Sequence, residues 1–174
     1  MPNKVNVRPT LSVITVVIAV IICTLSLMVA QLWSISPAEA AIRSIEEAPG
    51  QVMIQSRQTL RDDQKFPWQV VLFAHKDQLE LRLVGFPDRD TFAHPGYLEI
   101  NLTNGQQLIA EDEFIKKSPA ANVGQFNLEP LVDQLPKDQN LVLHLPLTQE
   151  KRPLTIPAAV IIEWQALIQQ KETL

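Results

Sequence analysis

Cysteine is almost missing from this chain, because its 174 residues include a single one, Cys23. Cys23 lies inside a long apolar run, so the chain that follows the run has no thiol. Disulfide bonds, cysteine metal sites and a cysteine nucleophile are therefore excluded from that later part. Its stability has to come from a hydrophobic core, which roughly 130 residues are enough to build.

Glycine is also scarce, with five residues in the whole chain and no cluster of them. Phosphate-cradling loops and the Gly-x-Ser-x-Gly turn of a serine hydrolase are therefore absent. The three histidines, His75, His94 and His144, are scattered and show no metal-ligand spacing. We expect no catalytic residue, no metal site and no cofactor; an unrecognised hydrolase is the remaining enzymatic alternative.

Basic residues are fewer than acidic ones, 15 against 19, which gives a formal net charge of −4. This balance argues against nucleic acid as a partner, because phosphate binding needs basic patches. The same charge balance gives no reason to expect binding to an anionic lipid surface. Acidic groups such as Glu111–Glu113 lack the spaced ligands and glycine of a calcium loop, so we interpret them as solvated.

The N-terminal segment has the pattern of a secretory signal. Lys4 and Arg8 precede an uncharged apolar run from Leu11 to Trp33, which "SISPAEAA" follows. A basic start, an apolar run and a small-x-small site are typical of a signal peptide, and they predict cleavage between Ala40 and Ala41. The sequence thus divides into a leader over 1–40, a linker or short helical turn over 41–50, and one domain over 51–174.

A retained membrane anchor is the alternative for the same segment. About 20 apolar residues rise roughly 30 Å as a helix, which matches a bilayer core. Residues 11–33 would then hold the protein on the membrane. Lys4 and Arg8 keep the N-terminus on the cytoplasmic side in either case, so the domain is expected across a membrane.

The remaining chain alternates apolar and polar residues in short runs. "LELRLVGF" and "NLVLHLPL" are typical of strands with one buried face, whereas "WQVVLFA" predicts a strand buried on both faces. Asn104-Gly105 lies between two such runs and predicts a hairpin with a type I′ turn. Polar, irregular chain is expected over "EDEFIKKSPAANVGQ", and a short helix over "FNLEPLVDQLP", with Asn127 as its cap.

The C-terminal segment is the convincing helix. Apolar residues recur there at three- and four-residue intervals: Val160, Ile161, Trp164, Leu167 and Ile168. Pro157 suits the first helical position, and Lys171 is expected on the exposed tail. The fold class predicted is mainly β (α+β), an antiparallel sandwich or partial barrel of about seven strands with this helix packed on it. The alternative is a split sheet with both helices on one face.

One loop, Pro87 to Gly96 with its flanks, carries residue types that are enriched in protein interfaces. The candidate interaction residues are Phe86, Arg89, Phe92, His94 and Tyr97. The alternative is that Phe86 and Phe92 fold back as plugs for the end of the sandwich.

Several strings together carry a family resemblance: "APGQVMIQSRQTLRD", "WQVVLF", "LRLVGFP…FAHP", "NVGQFNL…LVDQLP" and "LTIPAAVIIEWQ". From about Ala48 to Gln165 the chain resembles a small cyanobacterial family of exported proteins that has only a domain-of-unknown-function label. The resemblance implies a location in the thylakoid lumen or the periplasm and implies no catalytic residues.

The function expected from these observations is that of a non-enzymatic accessory or interaction protein on the lumenal or periplasmic side. Its expected partner is a membrane protein complex. The alternative is a binding protein for a small apolar ligand or pigment held inside the sandwich or barrel.

Overall fold

Nine antiparallel strands and one α-helix make up the part of the chain that the computed structural model describes, residues 42–48, 51–114 and 118–174. The strands are β1 (Ile42–Ala48), β2 (Gln51–Arg61), β3 (Pro67–His75), β4 (Gln78–Val84), β5 (Leu98–Leu102), β6 (Gln107–Asp112), β7 (Val123–Asn127), β8 (Leu141–Pro146) and β9 (Lys151–Ile156). A 3₁₀ segment spans Glu129–Gln134, and helix α1 spans Ala158–Lys171.

The strands form one open sheet in the order β1-β2-β3-β4-β7-β6-β5-β8-β9. Strand β6 joins its two halves, because Gln107–Ala110 pair with β5 while Glu111 and Asp112 pair with β7. The sheet curls far enough for β9 to contact β2. The mainly-β prediction with a C-terminal helix is confirmed, with nine strands where the sequence predicts about seven.

The core lies on the inner face of the curled sheet and follows the alternation of the sequence. Leu79, Leu81 and Leu83 of β4 are fully buried, whereas Arg82 between them is exposed. Trp68 packs edge-on against Phe92, with ring centroids 6.0 Å apart, and Phe92 lies 6.1 Å from Phe126. Side chains therefore fill the interior next to β3, β4 and β7.

Helix α1 covers the inner side of the sheet at β2 and β3. All five residues of its predicted apolar stripe are buried, so the packing of this helix is confirmed. Pro157 is the N-cap and not the first helical residue, and Asn140 Oδ1 accepts a 2.7 Å hydrogen bond from the Ala158 N–H. Lys171 is not exposed as predicted, because its Nζ lies 2.5 Å from Glu129 Oε1 in the 3₁₀ segment.

Two predicted irregular regions are strands. The segment 41–50, expected to be a linker or helical turn, contains β1, which pairs with β2 from Ile42 to Ala48. The end of "EDEFIKKSPAANVGQ" begins β7, which pairs with β4. Neither region has strong alternation of its own, so pairing with a neighbouring strand determines its conformation.

The predicted short helix is a 3₁₀ turn at the expected place. The N-cap is Leu128 and not the predicted Asn127, although Asn127 Oδ1 accepts a 2.9 Å hydrogen bond from the Glu129 N–H. The segment ends at Gln134, two residues before Pro136.

The Asn104-Gly105 hairpin forms, but its turn is not type I′. Gly105 has φ +87°, whereas Asn104 is not among the residues of positive φ. The Gly105 N–H donates to Leu102 O, and the Leu102 N–H donates to Gln106 O. This is the three-residue loop in which a type I turn ends at a left-handed glycine.

The predicted leader, the apolar run over 11–33 and the cleavage site at Ala40 and Ala41 lie outside the described residues. Within the described ranges, no helix has both the length and the apolar character needed to cross a bilayer.

Candidate functional site: a cleft on the outer face of the sheet

A cleft of about 490 Å³ lies on the outer face of β2, β3, β4 and β7, which points away from the core. Its lining residues are Met53, Gln55, Arg57, Gln69, Val71, Phe73, His75, Glu80, Arg82, Val84 and Gln125. We name it the outer cleft. Small-molecule sites in proteins have volumes of about 300–1,000 Å³, so this cleft is large enough to hold a ligand.

The apolar centre of the outer cleft comes from β3. Val71 is 6% exposed and Phe73 is 7% exposed, although both point away from the core. The sequence "WQVVLFA" predicts burial on both faces of this strand, and the structure confirms it. The second buried face forms part of a cleft wall instead of packing against another layer of the core.

The strand register places charged residues around this apolar centre. Val71 pairs with Arg57 of β2 on one side and with Arg82 of β4 on the other. Arg82 pairs in turn with Gln125 of β7. Since directly paired residues of antiparallel strands share a face, these four side chains form one row across the cleft.

Hydrogen bonds hold Arg82 in place. Its Nε and Nη2 donate to Gln125 Oε1 over 2.8 and 2.6 Å, and its guanidinium lies 5.1 Å from the centre of the Phe73 ring. Gln125 Nε2 donates to Glu80 Oε2 over 3.1 Å. Gln125 therefore connects Arg82 with Glu80, and it orients the guanidinium over the apolar centre.

Glu80 is the acidic residue of the cleft lining. Burial raises the pKa of its carboxyl group, and the negative charge of Glu113 raises it further. The hydrogen bond from Gln125 and the charges of His75 and Arg82 act in the opposite direction but do not cancel the rise.

The structure separates the five residues of the predicted interaction loop. Phe92 is 3% exposed and is a plug of the core, as the alternative expected. Phe86 and Tyr97 are 59% and 63% exposed, so Phe86 is not a plug. Arg89 lies 3.9 Å from the Phe66 ring centre and forms an ion pair with Asp90. A binding role for this loop remains a prediction.

His94 belongs to a separate hydrogen-bonded group. Its Nδ1 donates to Asp112 Oδ2 over 2.7 Å, and Asp112 also accepts hydrogen bonds from the Gly96 and Phe114 N–H groups. The Nε2 atom is buried and has no hydrogen-bond partner in the described part of the chain. Asp112 therefore connects the end of β6 with the loop at His94 and Gly96.

A buried ion cluster connects β9 with the loops that follow β2 and β4. The sequence pattern does not reveal it. Arg152 of β9 contacts Asp90 at 2.8 Å and Asp62 at 3.7 Å. Asp62 also accepts a hydrogen bond from Trp68 Nε1 at 3.0 Å. Asp62 and Asp90 look like ordinary turn acids in the sequence, because nothing local shows that a distant arginine reaches both.

No group of three or more acidic or histidine side chains within the described ranges is arranged to hold a metal ion.

The outer cleft was also missed as a site. The one sequence signal for this cleft is strand β3, whose apolar residues on both faces predicted only that the strand is buried on both sides. Arg57, Arg82 and Gln125 come from three strands, and only the register brings them together.

Comparison with known families identifies the domain. The family model described as a protein of unknown function, DUF3122, matches residues 40–167. The chain belongs to this family. A domain-of-unknown-function label, implied by the sequence resemblance, is therefore confirmed for the DUF3122 chain, whereas its cyanobacterial source and its export remain predictions. Neither the curated proteins nor the solved structures contain a significant match.

Proposed function

We propose that this DUF3122 protein is a non-enzymatic accessory protein of a thylakoid lumen or periplasm that binds its partner, a membrane protein complex, through the outer cleft. The observation that carries the proposal is the position of Val71 and Phe73. In a sheet with one solvated face, outward residues are normally polar. Here two apolar side chains form the centre of an open cleft and are surrounded by polar and charged ones, as is typical of a recognition surface.

The expected location rests on the leader. Lys4 and Arg8 precede the apolar run, and by the positive-inside rule this charge pattern supports a domain on the opposite side of the membrane. N-terminal sequencing of the protein from its source cells tests the leader, and a start at Ala41 supports cleavage. Digestion of the domain by protease added to the cytoplasmic side would contradict the proposed location.

Site-specific photo-crosslinking of the full chain in its source cells tests the binding role. A photoreactive residue replaces Gln69, which lines the cleft and is exposed. The matched control replaces Thr155, an exposed residue of β9 outside the cleft lining. Crosslinking of one and the same membrane protein from position 69, and not from position 155, supports the proposal. Equal products from both positions would contradict it.

A binding protein for a small ligand is the second candidate, and the volume of the outer cleft favours it. The sequence-level alternative placed such a ligand inside the barrel, but Trp68, Phe92 and Phe126 pack together there. A ligand would therefore lie in the outer cleft. Native mass spectrometry of the full chain distinguishes the two candidates, because a retained small molecule favours the ligand-binding protein.

A further inference from the structure

We propose that the outer cleft binds an amphipathic anion, a small molecule with one singly charged oxyanion head and an apolar body. The head is held by Arg57 and Arg82, and the body contacts the apolar residues of the cleft lining, which are Met53, Val71, Phe73 and Val84. The inference rests on the second candidate function, a small-ligand site in the outer cleft, and specifies the chemistry of that ligand.

The first argument is that both guanidinium groups have donors to spare. Arg57 is exposed and has no hydrogen bond or ion pair with any described residue. Arg82 uses Nε and Nη2 on Gln125, which leaves Nη1 free to donate. Among the described residues, no carboxylate oxygen lies within 4.0 Å of either guanidinium, so neither charge is neutralised by a salt bridge.

The second argument is the distance between Arg57 and Arg82 within the row of paired residues. Arg57 and Arg82 are separated by one strand, so their backbones are about 10 Å apart. Both side chains are long enough to approach a single anion above Val71 from opposite sides. Arginine suits this role because its fork of N–H donors matches the oxygens of a carboxylate or phosphate.

The third argument is the balance of charge within the cleft. Two arginines and one acid, Glu80, line the cleft, although the whole chain has a net charge of −4. Glu80 donates nothing to an anion and is held by Gln125 beside Phe73, one row away from the two arginines. It therefore disfavours a second negative charge and favours a ligand whose other end is uncharged.

Photoaffinity labelling of the full chain tests the proposal. The probe is octanoate with a diazirine on its chain, and labelled residues are located by peptide mass spectrometry. Labelling of residues lining the outer cleft is expected. Excess octanoate or octyl phosphate should suppress it and octanol should not, and the more effective of the two anions identifies the head as carboxylate or phosphate.

Variants make the test specific. The Arg57→Ala/Arg82→Ala double variant should lower cleft labelling by about tenfold or more, because it removes both charge-assisted contacts with the oxyanion head. Lys137→Ala is the control, since Lys137 is an exposed cation beside helix α1, outside the cleft lining, and should leave labelling unchanged. Circular dichroism confirms that the variants fold.

Equal suppression by octanol, unchanged labelling in the double variant, or absence of cleft labelling would each overturn the anion proposal. These failures are distinct from failure of the proposed function. A membrane protein crosslinked from position 69 would still support binding through the cleft when every anion result is negative.

Discussion

At the scale of the residue, the described core contains buried polar atoms that lack partners. Ser56 is completely buried on the inner face of β2, and its Oγ has no hydrogen bond in the described structure. Glu163 Oε1 and Trp164 Nε1 of helix α1 are in the same situation. An unpaired buried hydroxyl has lost its hydration without compensation, which costs free energy of folding.

The substitution Ser56→Ala should therefore stabilise the protein. It removes the unpaired hydroxyl and leaves the packing of the Cβ intact, so the free energy of unfolding should rise by about 1 kcal/mol. Urea denaturation measures the change. Ser44→Ala on exposed β1 is the control and should shift the value by less than about 0.5 kcal/mol. A loss of stability in Ser56→Ala would mean that the hydroxyl has a partner, such as an internal water.

Gly124 is required by close packing. A Cβ at this position would lie 2.7 Å from two ring carbons of Phe92. The substitution Gly124→Ala should lower the free energy of unfolding by about 1–3 kcal/mol, as overpacked cores do. Combining it with Phe92→Leu tests the cause, because a smaller side chain relieves the overlap and the double variant should cost less than the two single costs added.

At the scale of the element, the β5–β6 hairpin depends on one left-handed residue. Gly105 has φ +87°, and no atom lies within 4 Å of the position that its Cβ would occupy. A side chain at this position would therefore meet no steric obstacle from its surroundings, and its cost would come from the backbone alone.

Gly105→Ala should thus destabilise the protein by about 1 kcal/mol, because an L-residue pays that much to adopt the left-handed conformation. Gly105→Asn is the comparison and should cost less, since asparagine tolerates this conformation better. Thermal denaturation of both variants checks the order. An alanine variant as stable as the original protein would show that the loop has changed its turn type.

At the scale of the whole molecule, Arg152 connects distant parts of the chain. It lies on β9 and reaches Asp62, which follows β2, and Asp90, which lies between β4 and β5. Burial by itself raises the pKa of the Asp90 carboxyl, but hydrogen bonds from Arg89, the Phe86 N–H and Arg152 outweigh it and leave the pKa lowered. A lowered pKa in the folded state means that ionised Asp90 stabilises the fold above about pH 4.

Arg152→Ala should lower the free energy of unfolding at pH 7 by about 1.5–3 kcal/mol, because buried Asp90 loses a charge-assisted hydrogen bond and keeps Arg89 as its remaining cation. The cost should shrink as the pH falls through the lowered pKa of Asp90, where the carboxyl becomes protonated. Urea denaturation from pH 7 to pH 3 measures this. Lys151→Ala, which breaks an exposed ion pair with Glu99, is the control and should cost less than about 1 kcal/mol. A cost for Arg152→Ala that is independent of pH would contradict the role of charge.

The sequence by itself determined the features that depend on local pattern. Alternation predicted β3, β4, β5 and β8, and the apolar stripe of α1 predicted which residues of the helix are buried. The string "FNLEPLVDQLP" predicted where the 3₁₀ segment lies. Each of these signals acts through neighbours in the chain, since side-chain period and capping are set within a few residues.

The tertiary structure alone decided the features that depend on pairing between distant segments. Strands β1 and β7 form because partners lie beside them, and Lys171 is buried because Glu129 lies within reach. The outer cleft follows the same rule. Val71 was visible as an extra apolar residue, but its position between Arg57 and Arg82 is set by the register of three strands, and register depends on the packing of the whole sheet.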